Sequence, residues 1–268
     1  MSSLWILEEA PPAPDARISY GPGPHHFGEL RLPSGPGPHP VVVALHGGFW
    51  RAKYDLAHLG HLCAALTASG FATWSLEFRR IGHEGGGYPG TLEDVALGAD
   101  FLRTLAQAHP LDLSRVVFLG HSAGGHLALW LGARHRMPVG SALRREDPLR
   151  PRGIVSLAGL ADLTRTYELG LSDRAAELLL GGSPLEVPLR YQRASPAALQ
   201  PLGVPQVILH GSEDDTVPVA MSADYCARGR AHGDDVRCVV LPGAGHFEVV
   251  DPRSREWPQV VDAVRSLL

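Results

Sequence analysis

The chain has 268 residues, of which 44% are hydrophobic and 19% are charged, and its formal net charge at pH 7 is −4. This length is enough to bury a full hydrophobic core and predicts a single domain over residues 1–268. The weak negative charge gives no electrostatic basis for binding nucleic acid or an anionic membrane. The composition therefore argues against nucleic-acid and membrane partners and leaves small-molecule chemistry open.

The cysteines and the N-terminus bear on the cellular location. Cys63, Cys226 and Cys238 are few, odd in number and far apart, which predicts a reducing compartment and no disulfide framework. The first ten residues carry two glutamates and are not expected to form a signal peptide. No apolar stretch approaches the ~20 residues that a membrane span needs. We therefore predict a cytoplasmic protein.

In chain order, the first predicted element is a short antiparallel hairpin or edge at residues 27–32, where polar and apolar residues alternate. From residue 41 onward, short apolar runs alternate with stretches whose apolar residues recur at helical spacing. The runs predict strands at residues 41–45, 71–78, 116–119, 153–157, 206–210 and 236–241. The stretches predict helices at residues 55–69, 91–108 (capped by Thr91 with Asp94), from 123 onward, 219–231 and 254–268. This alternation predicts an α/β fold, in which a mostly parallel sheet carries helices on both faces.

Residues 160–200 depart from this alternation and read as irregular and partly helical. Their leucines and tyrosines predict a small lid over a pocket, and a packed surface excursion is the alternative. Ligands of parallel sheets bind at the carboxyl ends of the strands. Polar residues that directly follow strands are therefore the candidates for function.

The segment Gly-His-Ser-Ala-Gly, residues 120–124, lies where a buried strand gives way to a helical pattern. Glycines on both sides of Ser122 allow a tight strand-to-helix turn that exposes the serine side chain. A serine–glycine loop or a helix N-cap is the alternative for such a motif alone. The strand before it and the helix after it favour a nucleophile elbow with Ser122 as the nucleophile.

Two further polar groups follow later strands. Asp214 and Asp215 come after the strand at 206–210, and His246 comes after the strand at 236–241. A serine hydroxyl needs an imidazole to take its proton and a carboxylate to orient that ring. Taken singly, a loop histidine is usually only solvated, and an aspartate pair after a strand is usually a turn former or a helix cap. Because all three groups follow strands of one sheet, we predict a Ser-Asp-His triad.

Residues 46–50, His-Gly-Gly-Phe-Trp, directly follow the strand at 41–45. Acyl transfer needs donors for the oxyanion that develops on the substrate, and glycines let backbone N–H groups approach a ligand closely. We predict that the amides of Gly48, Phe49 and Ala123 form this oxyanion hole. A plain strand-to-helix turn is the alternative.

The segments HGGFW, GHSAGGHLAL and HGSEDDTVP make the chain resemble α/β-hydrolases over essentially its whole length. Within that superfamily they are similar to the arylformamidase (kynurenine formamidase) and carboxylesterase branch. The resemblance implies the α/β-hydrolase fold, with a nucleophile at Ser122, an acid at Asp214 and a base at His246. In the family's H-G-x-x-D motif the acid is the first aspartate, which selects Asp214. Asp215 is then expected to cap the following helix.

The predicted activity is hydrolysis of a small ester or amide through an acyl-enzyme. We expect the substrate pocket to be lined by Phe49, Trp50, Tyr88, Tyr167 and Leu171. Aromatic walls favour a flat, apolar leaving group, and their bulk favours a short acyl group such as formyl or acetyl. The alternatives are a general short-chain carboxylesterase and a non-catalytic binding module on the same fold.

Neither a metal nor a cofactor is predicted. His58, His61 and Cys63 lie close together in the sequence, but two helical neighbours do not complete a zinc site. The glycine-rich residues 85–90 lack the lysine and hydroxyl residue of a phosphate loop. They are expected to form a flexible loop near the pocket mouth.

Overall fold

Eight strands form one sheet in the computed structural model, which describes residues 3–268. The strands are β1 (Ala16–Ser19), β2 (Phe27–Arg31), β3 (His39–Leu45), β4 (Ala72–Leu76), β5 (Leu111–His121), β6 (Gly153–Leu157), β7 (Gln206–Gly211) and β8 (Val236–Leu241). Their order across the sheet is β1-β2-β4-β3-β5-β6-β7-β8. β2 runs antiparallel to both β1 and β4, whereas all other neighbours are parallel. The predicted hairpin and the mostly parallel sheet are confirmed.

Helices connect and flank the strands. They are α1 (Trp5–Glu8), α2 (Gly60–Ala68), α3 (Gly90–Asp100), α4 (Leu102–Leu105), α5 (Ala123–Ala133), α6 (Leu163–Glu168), α7 (Leu171–Leu180), α8 (Pro188–Ala194), α9 (Pro196–Leu199), α10 (Val219–Ala231) and α11 (Trp257–Arg265). Single 3₁₀ turns lie at Leu56–Leu59, Arg134–Arg136 and Glu248–Val250. The predicted helix at 91–108 is instead two helices, α3 and α4. Its predicted cap is wrong, because Thr91 lies inside α3 and its hydroxyl donates to the Arg79 carbonyl oxygen at 2.6 Å.

The sheet is buried on both faces because its central strands are apolar throughout. Val41, Val43 and Leu45 of β3 belong to one core cluster, whereas Val42 and Ala44 belong to the other. Successive side chains of a strand point to opposite faces, so the two clusters lie on opposite sides of the sheet. Side chains of α3, α5 and α10 fill the first cluster, and those of α2 and α11 fill the second.

Residues 160–200 form the four short helices α6 to α9, in agreement with the irregular, partly helical segment that the sequence predicts. The segment packs beside two loops at the carboxyl edge of the sheet. The Tyr88 N–H donates to the Leu179 carbonyl oxygen at 2.7 Å. The Arg51 guanidinium donates to Ser172 Oγ at 3.3 Å.

Cys226 of α10 and Cys238 of β8 are joined by a disulfide. The prediction of a chain without disulfides is therefore wrong. The two cysteines meet because α10 packs against β8, which the cysteine count alone does not reveal. The bond takes away the cysteine-based argument for a reducing compartment. Within residues 3–268, no helix is both long and apolar enough to cross a membrane.

Candidate active site

Ser122 lies in the sharp turn between β5 and α5. Its backbone has φ 55° and ψ −119°, and such positive φ values are strained for a residue other than glycine. The flanking glycines permit the turn. A Cβ on Gly120 would lie 2.0 Å from the Gly124 carbonyl oxygen, and one on Gly124 would lie 1.9 Å from the Leu45 carbonyl oxygen. The Ser122 N–H donates to the Leu157 carbonyl oxygen at 2.8 Å. This is the geometry that a nucleophile elbow requires.

His246 and Asp214 form a buried pair after β8 and β7. His246 Nδ1 donates to Asp214 Oδ2 at 2.6 Å. The other carboxylate oxygen, Oδ1, accepts from the backbone N–H groups of Thr216 and Val217 at 2.9 and 2.8 Å. Because the Nδ1 proton is directed at Asp214, the opposite ring nitrogen, Nε2, is the atom that can accept a proton.

Asp215 does not share this arrangement. Its side chain is exposed, and its Oδ1 accepts only from Thr216 Oγ1, at 3.1 Å. Helix α10 begins behind Pro218, and no side chain caps its first turn. The predicted capping role of Asp215 is therefore wrong. The turn that leads into the helix is made by Asp214 instead.

A second histidine, His210 at the end of β7, also contacts Asp214, and sequence reasoning missed it. His210 Nε2 lies 3.1 Å from Asp214 Oδ2 and 2.9 Å from the Val217 carbonyl oxygen. Ser222 Oγ, 2.7 Å from His210 Nδ1, can donate to that atom and so keep the proton on Nε2. Burial by itself raises the pKa of Asp214, but hydrogen bonds from His210 and His246 outweigh it and hold the pKa well below its usual range. Asp214 is therefore ionised at neutral pH.

The loop after β3 lies against the elbow. A Cβ on Gly47 would be 3.0 Å from Ser122 Cβ. Gly48, Phe49 and Trp50 have φ values of 100°, 49° and 56°, so three successive residues have left-handed backbone. Among residues 3–268, no acceptor bonds to the N–H of Gly48 or Phe49. Ala123 begins α5, so its N–H has no partner within the helix. Three backbone donors are thus uncommitted around the elbow.

Two buried histidines support this arrangement without adding charge. His58 Nε2 accepts from the Gly47 N–H at 3.3 Å, and His121 Nε2 donates to the His246 carbonyl oxygen at 2.9 Å. Burial, followed by the proximity of His46, lowers the pKa of His58 to about 3. Burial also lowers the pKa of His121 well below its usual range. Both rings are neutral at pH 7, so they hold the backbone in place without repelling a positively charged His246.

A cavity of about 310 Å³, here called the serine cavity, contains Ser122 and His246. Its other walls are formed by Leu7, Gly48, Phe49, Tyr54, His58, His121, Thr216 and Phe247. Among the described residues, Ser122 Oγ makes no hydrogen bond. Catalytic hydrogen bonds are often long before substrate binds and tighten in the complex. One cavity therefore holds a hydroxyl, an imidazole oriented by a carboxylate, and free backbone donors.

The side chains that suggested a weak metal motif have other contacts. His61 Nε2 donates to the Glu9 carbonyl oxygen at 3.1 Å, and Cys63 is buried with a free thiol. In the part of the chain that the structure describes, no three His, Cys, Asp or Glu side chains are grouped so as to hold a metal ion.

Comparison with known proteins identifies the family to which the chain belongs. The model of the BD-FAE protein family matches residues 30–228, which is more than half of the chain. The chain belongs to the BD-FAE family. It is similar to Esterase LipC of Mycobacterium tuberculosis, with 27% identity over 259 residues that cover 88% of this chain and 60% of that protein. It therefore spans less than two thirds of that relative.

Two further likenesses support the fold of this BD-FAE protein. A monoacylglycerol lipase of Mycolicibacterium smegmatis is 28% identical over 258 residues, which cover 84% of this chain and 86% of the lipase. The solved structure of esterase B from Lactobacillus rhamnosis superposes with a TM-score of 0.82 at 19% identity, covering 99% of this chain and 89% of that one. The predicted α/β-hydrolase fold is confirmed.

The serine cavity of this BD-FAE protein is not lined as the sequence predicts. Trp50 is fully buried, because the left-handed turn directs it inward and its Nε1 donates to His126 Nδ1 at 3.1 Å. Tyr88, Tyr167 and Leu171 pack half-buried against the core and do not line the serine cavity. Four of the five predicted wall residues, Trp50, Tyr88, Tyr167 and Leu171, therefore do not line the serine cavity.

The residues that do line the serine cavity come from several parts of the chain. Tyr54 and Phe247 flank the motifs that the sequence analysis singled out, so their proximity to those motifs could have identified them. Leu7 comes from α1, far from every motif, and no sequence signal points to it. Phe49, expected both at the oxyanion hole and in the pocket, does line the cavity.

Proposed function

We propose that this chain is a serine hydrolase that cleaves small carboxylic esters through an acyl-enzyme. The observation that carries the proposal is the convergence of Ser122, the His246–Asp214 pair and uncommitted backbone donors on one cavity. The names of the mycobacterial relatives, an esterase and a monoacylglycerol lipase, support ester cleavage. A non-catalytic binding module would have no use for a strained serine beside an oriented imidazole.

In the proposed reaction, Ser122 Oγ attacks the substrate carbonyl carbon while His246 Nε2 takes its proton. Asp214 stabilises the imidazolium that forms, and the N–H groups of Gly48, Phe49 and Ala123 bind the oxyanion. The intermediate collapses when His246 returns the proton to the leaving-group oxygen, which breaks the ester bond. Water, deprotonated by the same imidazole, then attacks the acyl carbon. The bond to Ser122 Oγ breaks, His246 returns the proton to that oxygen, and the acid is released.

Within this class, the substrate we propose has a short acyl group and an apolar, flat leaving group. The volume of about 310 Å³ lies at the small end of ligand pockets. Phe49, Tyr54 and Phe247 give the cavity aromatic walls, against which a ring can stack. A formyl or acetyl group on an aryl amine or phenol meets both conditions, as in arylformamidases. A general short-chain carboxylesterase is the second candidate, favoured by the relatives' names.

We also propose that the described chain behaves as one domain. Both core clusters draw side chains from the two halves of the sequence: one joins Tyr20 to Val236, and the other joins Ile6 to Val264. A lid motion of residues 160–200 would have to break the contacts of that segment with Arg51 and Tyr88.

The substrate proposal is tested by comparing kcat/KM for p-nitrophenyl acetate, p-nitrophenyl octanoate and N-formylkynurenine. We expect a fall of at least about tenfold from acetate to octanoate, because a long acyl chain clashes with the walls of the small serine cavity when its carbonyl group reaches Ser122. N-formylkynurenine should be hydrolysed at a measurable rate. A preference for octanoate would contradict the short acyl group, and an absence of formamide cleavage would leave the carboxylesterase candidate.

The oxyanion donors are tested by crowding them, since backbone amides cannot be deleted. Gly48→Val should lower kcat by about 100-fold, the scale of losing one donor. Labelling of Ser122 by a small fluorophosphonate should change little. Gly35→Val is the matched control, because Gly35 has a similar φ of +95° and nothing within 4 Å of the added Cβ. Wild-type turnover in Gly48→Val, at a melting temperature equal to that of the control, would show that the loop is only a turn.

A further inference from the structure

A groove adjoins the serine cavity on the side of the N-terminal helix. The groove, here called the α1 groove, has a volume of about 490 Å³ and lies between residues 6–11 and residues 53–58. Leu7, Tyr54 and His58 line both the groove and the serine cavity. The two spaces are therefore adjacent and meet at these three side chains.

Contacts with the C-terminal part of the chain hold α1 in place. Ser3 Oγ and Trp5 Nε1 both donate to Asp251 Oδ2, at 2.7 and 3.0 Å. Asp251 is buried, and Ile6 enters the core with 2% of its surface exposed. The next residue, Leu7, is 47% exposed. A fixed backbone thus holds an apolar side chain at the boundary of the two spaces.

The lining of the groove indicates what it can bind. Apolar contact is offered by Ile6, Leu7, Ala10, Pro11, Tyr54 and Ala57. The charged residues that line it are Glu8, Glu9, Asp55 and Lys53. Glu9 is paired with Arg253 at 3.1 Å, which leaves Glu8 and Asp55 against Lys53. This weak negative charge disfavours an anionic ligand, and the six apolar side chains favour an uncharged apolar chain.

We propose that the α1 groove is a substrate subsite that receives the uncharged apolar tail of the leaving group. The inference rests on the proposed function, because a short acyl group leaves only the alcohol or amine side to extend beyond the serine cavity. Each methylene that enters an apolar site raises kcat/KM by about two- to fourfold. Hexyl acetate should therefore exceed ethyl acetate in kcat/KM by about tenfold or more.

The test measures the ratio of kcat/KM for hexyl acetate to that for ethyl acetate. Ala57→Trp fills the groove from outside the serine cavity, and Leu7→Ala removes a shared wall. Either variant should lower the ratio by about fivefold or more. Val139→Trp is the control, because Val139 is 86% exposed and lines neither space, and it should keep the ratio within twofold. 6-Acetoxyhexanoate, which ends in a carboxylate, should react more slowly than hexyl acetate in the wild-type protein.

The possible results distinguish a failure of the proposed subsite from a failure of the proposed function. An unchanged ratio in both variants overturns the subsite. If the variants lower kcat/KM only for p-nitrophenyl octanoate, the groove binds the acyl side, which overturns the assignment to the leaving group. If the wild-type protein hydrolyses no ester, the proposed function fails. Calorimetric binding of 1-octanol then tests whether the α1 groove binds an apolar chain. Loss of 1-octanol binding in Ala57→Trp would support binding in the α1 groove. Equal binding of 1-octanol by the wild-type protein and Ala57→Trp would contradict it.

Discussion

Ser122→Ala should lower kcat for p-nitrophenyl acetate by roughly 10⁴-fold or more, and His246→Ala should do the same. The two residues act as one unit, so losing either removes the covalent route and leaves only binding and the oxyanion donors. The fold should survive in Ser122→Ala, because the substitution removes only a hydroxyl that makes no hydrogen bond to the described residues. Initial rates at saturating substrate, with melting temperatures as the check on folding, measure the effect.

A second serine provides the matched control. Ser156 of β6 is fully buried, and its hydroxyl has no hydrogen-bond partner in the described chain. Ser156→Ala therefore removes a hydroxyl at a comparable depth without touching the serine cavity, and we expect kcat to stay within about threefold of wild type. If Ser122→Ala kept a tenth of the wild-type kcat, Ser122 would not be the nucleophile.

Asp214→Asn should lower kcat by about 10³- to 10⁴-fold, whereas Asp215→Asn should change it by less than about threefold. Only Asp214 bonds to the His246 ring, and an amide there favours the wrong tautomer of the imidazole. Asp215 is exposed and bonds to Thr216 Oγ1 alone. The two neighbouring variants remove the same charge, so the comparison isolates the contact with His246.

The same pair of variants also has a pH signature. The pKa of Asp214 is held below its usual range in the folded protein. The ionised carboxylate therefore stabilises the fold at pH values above that usual range, and this stabilisation is lost as the pH falls below it. Asp214→Asn should therefore lower the melting temperature more at pH 7 than at pH 3. Equal losses of kcat in Asp214→Asn and Asp215→Asn, with both variants folded at the assay temperature, would contradict the choice of acid.

The elements that sequence reasoning placed well are those with a local pattern. The strand at 153–157 agrees with the structure at both ends. The strand at 236–241 and the helix at 219–231 do so as well, because each is bounded by proline and a polar residue. The predicted meeting of Asp214 and His246 follows from topology alone. Neighbouring parallel strands, here β7 and β8, end at one edge of the sheet and carry the following loops there together.

The parts that sequence reasoning missed depend on contacts distant in the chain or on unusual backbone. Trp50 turns inward at φ 56°, a conformation that no propensity favours for tryptophan. Leu7 reaches the serine cavity because Ser3 bonds to Asp251, 248 residues away. His210 looks like an ordinary strand residue, and only the three-dimensional structure reveals its contact with Asp214. The position of Leu7 in the pocket wall, the inward turn of Trp50 and the contact of His210 therefore could not be predicted from spacing, whereas Ser122, Asp214 and His246 could.

Covalent labelling with a small fluorophosphonate, followed by mass spectrometry of the digested protein, tests directly whether Ser122 is an activated nucleophile. The elbow and the imidazole together should make one hydroxyl reactive, so we expect a single stoichiometric adduct on Ser122. The adduct should be absent in Ser122→Ala and should form far more slowly in His246→Ala. Labelling at another residue, or no reaction of the wild-type protein, would contradict the assignment of Ser122 as the activated nucleophile.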